Sequence, residues 1–403
     1  HKEYRRQRQM CIRDRYYTEE GNGLYFSSED THFHTKEVEY CQSSAESIQL
    51  LIKTYPGAIR KQNYRLPFSM KIELFEGDWQ DAAEIYRTWS ERFLPLPNKI
   101  SENEKIPNWI KSSPIVATYP ITGEGHHSGP TQPNEFFPYE KAIPHLDRLA
   151  NALDSHLLTL LMQWEGTAPW APPYVWPPLG GEKMLKNFAD ELHDKGHYLG
   201  LYCSGLAWTT TADTGPGNYN RKEEEKEENR IKEMCQGPEG EYECLICNGE
   251  GIRLGYDMCV ASEFAQEVTI KEAINIANAD VDYIQLLDQN LGGAAYQCYD
   301  ESHGHPGAPG PWQAKEMNKL LSKVQNAFNK EGKEVILGCE AASAESYIEN
   351  LPVNDLRFQI GYNMGKPVPL YNYVYHQYVV NFMGNQVEAV SYTHLTLPTI
   401  LLV

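Results

Sequence analysis

The sequence predicts an α/β protein: a (β/α)8 TIM-type barrel, truncated at its C-terminal edge and preceded by a β-sandwich-like domain. Three observations predict it. From residue 107 onward, apolar strand-like runs alternate with amphipathic helical stretches, and strands covered by helices on both faces are near-continuously apolar, as in a parallel sheet. Five or more such units occur without a Gly-rich phosphate loop, which favours a barrel over a doubly wound sheet. Residues 22–75 differ, with β-rich runs separated by Gly, Pro and Ser.

The first domain covers residues 16–105. "GLYFSS", "HFHTKEVEYC", "SIQLLIKTYP" and "FSMKIELFEG" are its strands. "GDWQDAAEIYRTWSERF" then changes period: Trp79, Ala82, Ala83, Tyr86, Trp89 and Phe93 recur at helical spacing, with Asp78 placed as the cap. "LPLPNKISENEKIP" (94–107) is a polar, Pro-punctuated linker. The barrel takes 106–390. Its strands are expected at 114–120, 156–165, 197–208, 282–290, 333–343 and 368–379, with a weaker one at 356–360. Helices are expected at 139–153, 181–196, 262–279 and 312–332, and over "AESYIENL". The charge run "RKEEEKEENRIKEM" reads as a solvated helix in an insertion.

The formal net charge is −19, and −23 once the six Lys/Arg and two acids of residues 1–15 are set aside. Such a surface repels nucleic acid and anionic lipid, so neither is expected as a partner. No run approaches the ~20 apolar residues of a membrane span. The 26 Tyr and 8 Trp offer flat faces that suit sugar rings as well as cores. Nine Cys do not make a disulfide scaffold at this length. Cys203 and Cys339 lie in apolar runs and read as packed thiols. Cys235, Cys244, Cys247 and Cys259 are closer together, and "CLIC" has the spacing that serves zinc or a disulfide. A second tight pair is missing, so free thiols are the main reading. The oligomeric state is not legible.

A barrel gathers the C-terminal ends of its strands on one catalytic face. The ends of the apolar runs carry Trp164, Glu165 and Trp170, then Tyr202 and Trp208, then Asp288 and Gln289 with His303, His305 and Trp312 in the loop beyond. Glu340 ends the next run, and the last carries Tyr375 and His376. Asp288 and Glu340 directly terminate the most apolar strands. A buried acid is costly unless it is hydrogen-bonded or functional. Acids on the ends of adjacent strands can sit about 5–5.5 Å apart, the separation that retaining glycoside hydrolysis needs. The expectation is therefore a retaining glycoside hydrolase, and the net charge favours a neutral glycan. Trp164, Trp170, Trp208 and Trp312 are expected as stacking platforms. Glu165, Tyr202, Asp257, Gln289, His303, His305, Tyr375 and His376 are expected as substrate binders. The alternatives are a non-catalytic carbohydrate-binding barrel, or a metal-dependent hydrolase in which His303 and His305 join the two acids. Such Gly/Pro-rich loops often need His only for hydrogen bonds, so no metal ligand is assigned, and no cofactor. Neither a G-x-S-x-G nor a P-loop motif occurs.

The series "GDWQDAAEIYRTW", "QWEGTAPWAPPYVWPP", "YCSGLAW", "GYDMC", "LLDQN", "HGHPGAPGPW", "GCEAAS" and "YHQYVVNFMGNQ" resembles an uncharacterised bacterial, glycoside-hydrolase-like family catalogued as a domain of unknown function. More distantly, the layout is similar to endo-α-N-acetylgalactosaminidase-type enzymes. That resemblance implies that Asp288 is the nucleophile and Glu340 the acid/base, and it adds an N-acetylated glycan to the expected substrates. Both ends, "RQRQMCIRDR" and "VSYTHLTLPTI", resemble translated sequencing-adapter DNA. Residues 1–15 and 391–403 are accordingly expected to be artefactual tails of a metagenomic fragment. The compartment stays open, with a secreted, periplasmic or cell-surface setting favoured.

Overall fold

The computed structural model describes residues 13–17, 21–44, 47–55, 57, 63–122, 132–168, 171–173, 176–212, 219–221, 229–242, 253–356 and 368–382. In the N-terminal part, β1 (Arg13–Tyr17), β2 (Asn22–Glu29) and β5 (Ser69–Glu76) form an antiparallel sheet in the order β1-β2-β5. β3 (Lys36–Ser44) and β4 (Ser47–Thr54) pair separately. Helix α1 (Trp79–Phe93) comes next in the chain, with the expected start. The Asp78 carboxylate accepts from the Gln80 amide at 2.7 Å, and Asp81 accepts from the Asp78 amide at 2.8 Å. Gly77 precedes this cap at φ +125°, a left-handed setting that suits only glycine.

The second part is a parallel sheet wrapped by helices. Its elements are α2 (Asn108–Lys111), β6 (Ile115–Pro120), α3 (Ile143–Leu153), β7 (Leu157–Met162), α4 (Glu182–Asp194) and β8 (Tyr198–Tyr202). An antiparallel excursion of β9 (Ala207–Ala212), β10 (Tyr219–Asn220) and β11 (Arg253–Asp257) interrupts them. Then come α5 (Glu263–Asn278), β12 (Tyr283–Leu287), α6 (Pro311–Lys330) and β13 (Ile336–Cys339). The five parallel strands run β13-β12-β8-β7-β6. β14 (Val353–Asp355), α7 (Leu370–Tyr375) and β15 (Val380–Phe382) complete the described chain. β14 and β15 pair in parallel, and a single bridge between Glu340 and Asp355 joins them to β13.

The apolar pattern explains the layering. Outside the sheet, Leu185, Phe188 and Leu192 of α4 and Met317, Leu320, Val324 and Phe328 of α6 bury one helix face against it. Each such side chain contributes roughly 1.5–3 kcal/mol when fully buried. Inside, Leu160 of β7, Tyr202 of β8, Tyr283 of β12, Ile336 of β13, Val353 of β14 and Phe382 of β15 share one cluster. One face of the sheet and the β14-β15 pair thus share a single apolar cluster. Gly338 in β13 permits the closest approach. A Cβ there would lie 2.1 Å from both the Val353 carbonyl oxygen and the Tyr283 hydroxyl.

Two expected strands change. The 197–208 run splits at Cys203–Leu206, and its second half turns into the antiparallel β9. The run at 368–379 is not a strand: Leu370–Tyr375 is helical, and only Val380–Phe382 pairs. Its aromatic residues bury against α1, which supplies a helix partner where a sheet neighbour was expected. Tyr25, Ala82, Tyr86, Ile348, Val374 and Tyr375 form that contact, and Tyr86 and Tyr375 both donate to Glu345 Oε1, at 3.1 and 2.8 Å. Of the weaker strand expected at 356–360, residues 357–360 lie outside the described residues, and Val353–Asp355 just before it pairs with β15. "AESYIENL" forms one short 3-10 turn, Glu345–Tyr347, in place of a longer helix.

Candidate active site

The ends of β12 and β13 lie side by side. Tyr283, Ile284, Gln285 and Leu287 pair with Ile336, Leu337, Gly338 and Cys339. Asp288 and Glu340 are the next residues on each strand. The Glu340 amide donates to the Leu287 carbonyl at 3.2 Å, which locks the two strand ends at one level. Neighbouring strands are about 4.8 Å apart, so the two acids leave the sheet as immediate neighbours. Asp288 is 7% exposed. Its amide donates to the Cys203 carbonyl at 3.0 Å, and Gln285 Nε2 donates to its Oδ1 at 3.0 Å. Glu340 is half-buried, and its carbonyl accepts from the Gly292 amide at 2.7 Å.

A third acid joins them that the sequence did not reveal. Asp355 ends β14, bridges to Glu340 and is fully buried. The Tyr202 hydroxyl, from β8, donates to Asp355 Oδ2. "PVND" is too short to stand out as a strand, and its only signal is Leu351 alternating with Val353. The fields of these acids overlap. Burial pushes the Cys339 thiol well above its ordinary pKa, and Asp355, Glu340 and Asp288 push it further. Cys203 is raised in the same way by burial, then by Glu165, Glu272 and Asp288. Both thiols are free and packed in the core. Glu165 lies just beyond β7 and is 1% exposed.

Other expected contributors sit elsewhere. Trp164 and Trp208 are fully buried. Trp164 Nε1 donates to the Tyr202 carbonyl, and Trp208 packs edge-on to Phe264 beneath the Arg221 guanidinium. Neither presents a ring face to a sugar. Trp312 is 8% exposed and lies flat on His305. Trp170 lies outside the described residues. Tyr375 is buried against α1, and His376 is exposed with its Nδ1 2.8 Å from the Asn372 carbonyl oxygen. The helical turn at 370–375 takes both away from a strand end. Asp257 closes β11 and is fully buried, and Gln289 is half-buried beside Asp288.

His303 and His305 do not join Asp288 and Glu340. They meet Cys259 and Cys298, and one donor atom from each of these four residues lies within 4.8 Å of the others. Cys244 and Cys247, of the "CLIC" pair, lie outside the described residues. Sequence spacing could not find this group, because its members come from loops after two different strands.

The parallel sheet, with carboxylates following its strand ends, defines an α/β protein. Residues 64–385 match the family described as "Domain of unknown function (DUF6259)", and the chain belongs to it. No curated protein matches the chain. Among solved structures it is similar to the alpha-N-acetylgalactosaminidase NagBb of Bifidobacterium bifidum. The Gal-NHAc-DNJ complex of that enzyme is 14% identical with a TM-score of 0.66, covering 92% of this chain and 57% of that chain. The GalNAc complex gives 15% and 0.64, covering 92% and 58%. The chain thus spans less than two thirds of the length of these structures, and at this identity the likeness is one of fold.

Proposed function

We propose that the chain carries the catalytic centre of a glycoside hydrolase that retains anomeric configuration, on a (β/α)8 barrel preceded by a β-sandwich-like domain. The reading rests on one observation: Asp288 and Glu340 follow the paired residues Leu287 and Cys339 on adjacent parallel strands. Asp288 attacks the anomeric carbon while Glu340 protonates the leaving oxygen. Glu340 then takes a proton from water, which displaces Asp288. The Gln285 amide holds Asp288 Oδ1 and fixes the rotation of the attacking carboxylate. Asp355, which accepts from the Tyr202 hydroxyl, bridges to Glu340 and flanks the pair. The substrate is a neutral or N-acetylated glycan, and the first one to try is an α-N-acetylgalactosaminide, after the activity in the name of the fold neighbour.

The test is an assay of this chain and of a full-length family member against aryl α-N-acetylgalactosaminide and a panel of neutral aryl glycosides. Hydrolysis with retention is expected, abolished in Asp288→Ala and restored by azide as a glycosyl azide of inverted configuration. Undiminished turnover in Asp288→Ala would remove the nucleophile assignment. Loss in Asp355→Ala with azide rescue there would move it to β14.

A further inference from the structure

We propose that Cys259, Cys298, His303 and His305 form a closed, four-ligand zinc site that staples the loops after β11 and β12. Their donor atoms already converge. Cys298 Sγ is 3.4 Å from His303 Nδ1, and Cys259 Sγ is 3.3 Å from His305 Nε2. With Zn–S near 2.3 Å and Zn–N near 2.0–2.1 Å, the sulfur–nitrogen edge of a tetrahedron is about 3.6 Å. The observed contacts are close to that.

The outer edge of each imidazole is a second, independent observation. His303 Nε2 is 2.8 Å from the Lys232 carbonyl oxygen, and His305 Nδ1 is 2.8 Å from the Pro306 carbonyl oxygen. A carbonyl only accepts, so these outer nitrogens carry the hydrogens. In the neutral ring the inner nitrogens are then bare lone pairs aimed at the two sulfurs. That is the orientation a metal-bound histidine takes from its outer partner. The His305 ring is further held flat on Trp312, with centroids 3.6 Å apart and planes 5° from parallel.

The donor chemistry selects the ion. Two thiolates and two neutral imidazoles suit zinc and offer none of the oxygens that calcium or magnesium requires. Two thiolates also balance the charge of a divalent ion, as burial demands, since Cys259 and Cys298 are both fully buried. A third buried sulfur, Cys235, lies beside Cys259 and Cys298 without belonging to the four-donor group. Four protein ligands leave no open position, so the role is structural. The stapled loop also contacts the β3-β4 hairpin, where Gln297 Nε2 donates to Glu37 Oε1 at 3.0 Å.

This inference stands apart from the reading of Asp288 and Glu340, and its test does not use turnover. The full chain, purified without a metal-affinity tag, is expected to carry one zinc per molecule by elemental analysis. Replacement by cobalt should give tetrahedral visible bands and a near-ultraviolet sulfur-to-cobalt band. Cys298→Ser and His305→Gln should each lose the equivalent, whereas Cys235→Ser keeps it. Substoichiometric metal, both as purified and after anaerobic reconstitution with zinc, would overturn the proposal. So would a cobalt spectrum without the sulfur band. If the ligand variants fail to fold, the native stoichiometry and the cobalt spectrum decide alone.

Discussion

Two buried polar clusters among the described residues, the acids at the sheet end and the Cys/His group, are built in opposite ways. At the sheet end, backbone register does the placing: Leu287 and Cys339 pair, and Asp288 and Glu340 come next. At the other cluster, side chains from the loops after β11 and β12 converge on one point. A register-built site keeps its geometry when one acid is removed. A site built from loops depends on the bonds among its own members. The first arrangement suits chemistry, where a carboxylate must stay poised, and the second suits a staple.

The largest difference is expected from Asp288→Asn, which should lower turnover about 10⁴-fold, the scale of losing a catalytic nucleophile. It should leave the melting temperature within a few degrees, because the strand pairing survives. Thermal unfolding measured beside the activity assay checks both halves. A collapse of stability would show that Asp288 is a structural acid.

Zinc removal should do the reverse to the fold. Cys298→Ser, or exhaustive chelation, is expected to cost several kcal/mol, because metal-binding free energy is also folding free energy. Urea titrations with and without chelator measure it. Equal midpoints would mean that the loops hold without a metal.

Gly338→Ala tests the register itself. Its Cβ would lie 2.1 Å from the Val353 carbonyl oxygen, so β13 and β14 must separate. About 1–3 kcal/mol should be lost, with a fall in turnover as Glu340 moves. A fully stable, fully active variant would show that the strands yield at little cost.

The smallest effect concerns pH. Glu272 on α5 has Oε2 buried without a hydrogen bond. Burial raises its pKa from 4.5 to about 7, against the lowering effects of Lys271 and the Trp176 backbone. The unfolded chain therefore ionises first. Stability is full below about 4.5, falls as pH rises toward 7, and is level above it. Partial exposure of the group reduces the effect to about 1–2 kcal/mol. Glu272→Gln should flatten that slope, as tracked by urea midpoints between pH 4.5 and 8, and an unchanged slope would assign it to other groups.

Much of the fold was legible in the sequence. "VDYIQLLDQN" and "KEVILGCEAAS" are apolar runs that each stop on an acid, and each became a strand with that acid at its end. Asp78 capped its helix as its spacing implied. The aromatic residues were not legible. Trp164, Trp208 and Tyr375 look alike in sequence whether they line a cleft or fill a core, and here they fill cores. Asp355 was hidden because three residues of strand carry no period.

Local sequence set the alternation of strand and helix, the parallel sheet, and which strands end in carboxylates. These follow from short-range periodicity and from the cost of burying charge. Only folding in three dimensions brought Asp355 beside Glu340, let Tyr202 reach Asp355 from β8, and turned His303 and His305 toward Cys259 and Cys298. Those contacts depend on how strands and long loops pack in space, and no spacing along the chain encodes a distance across it.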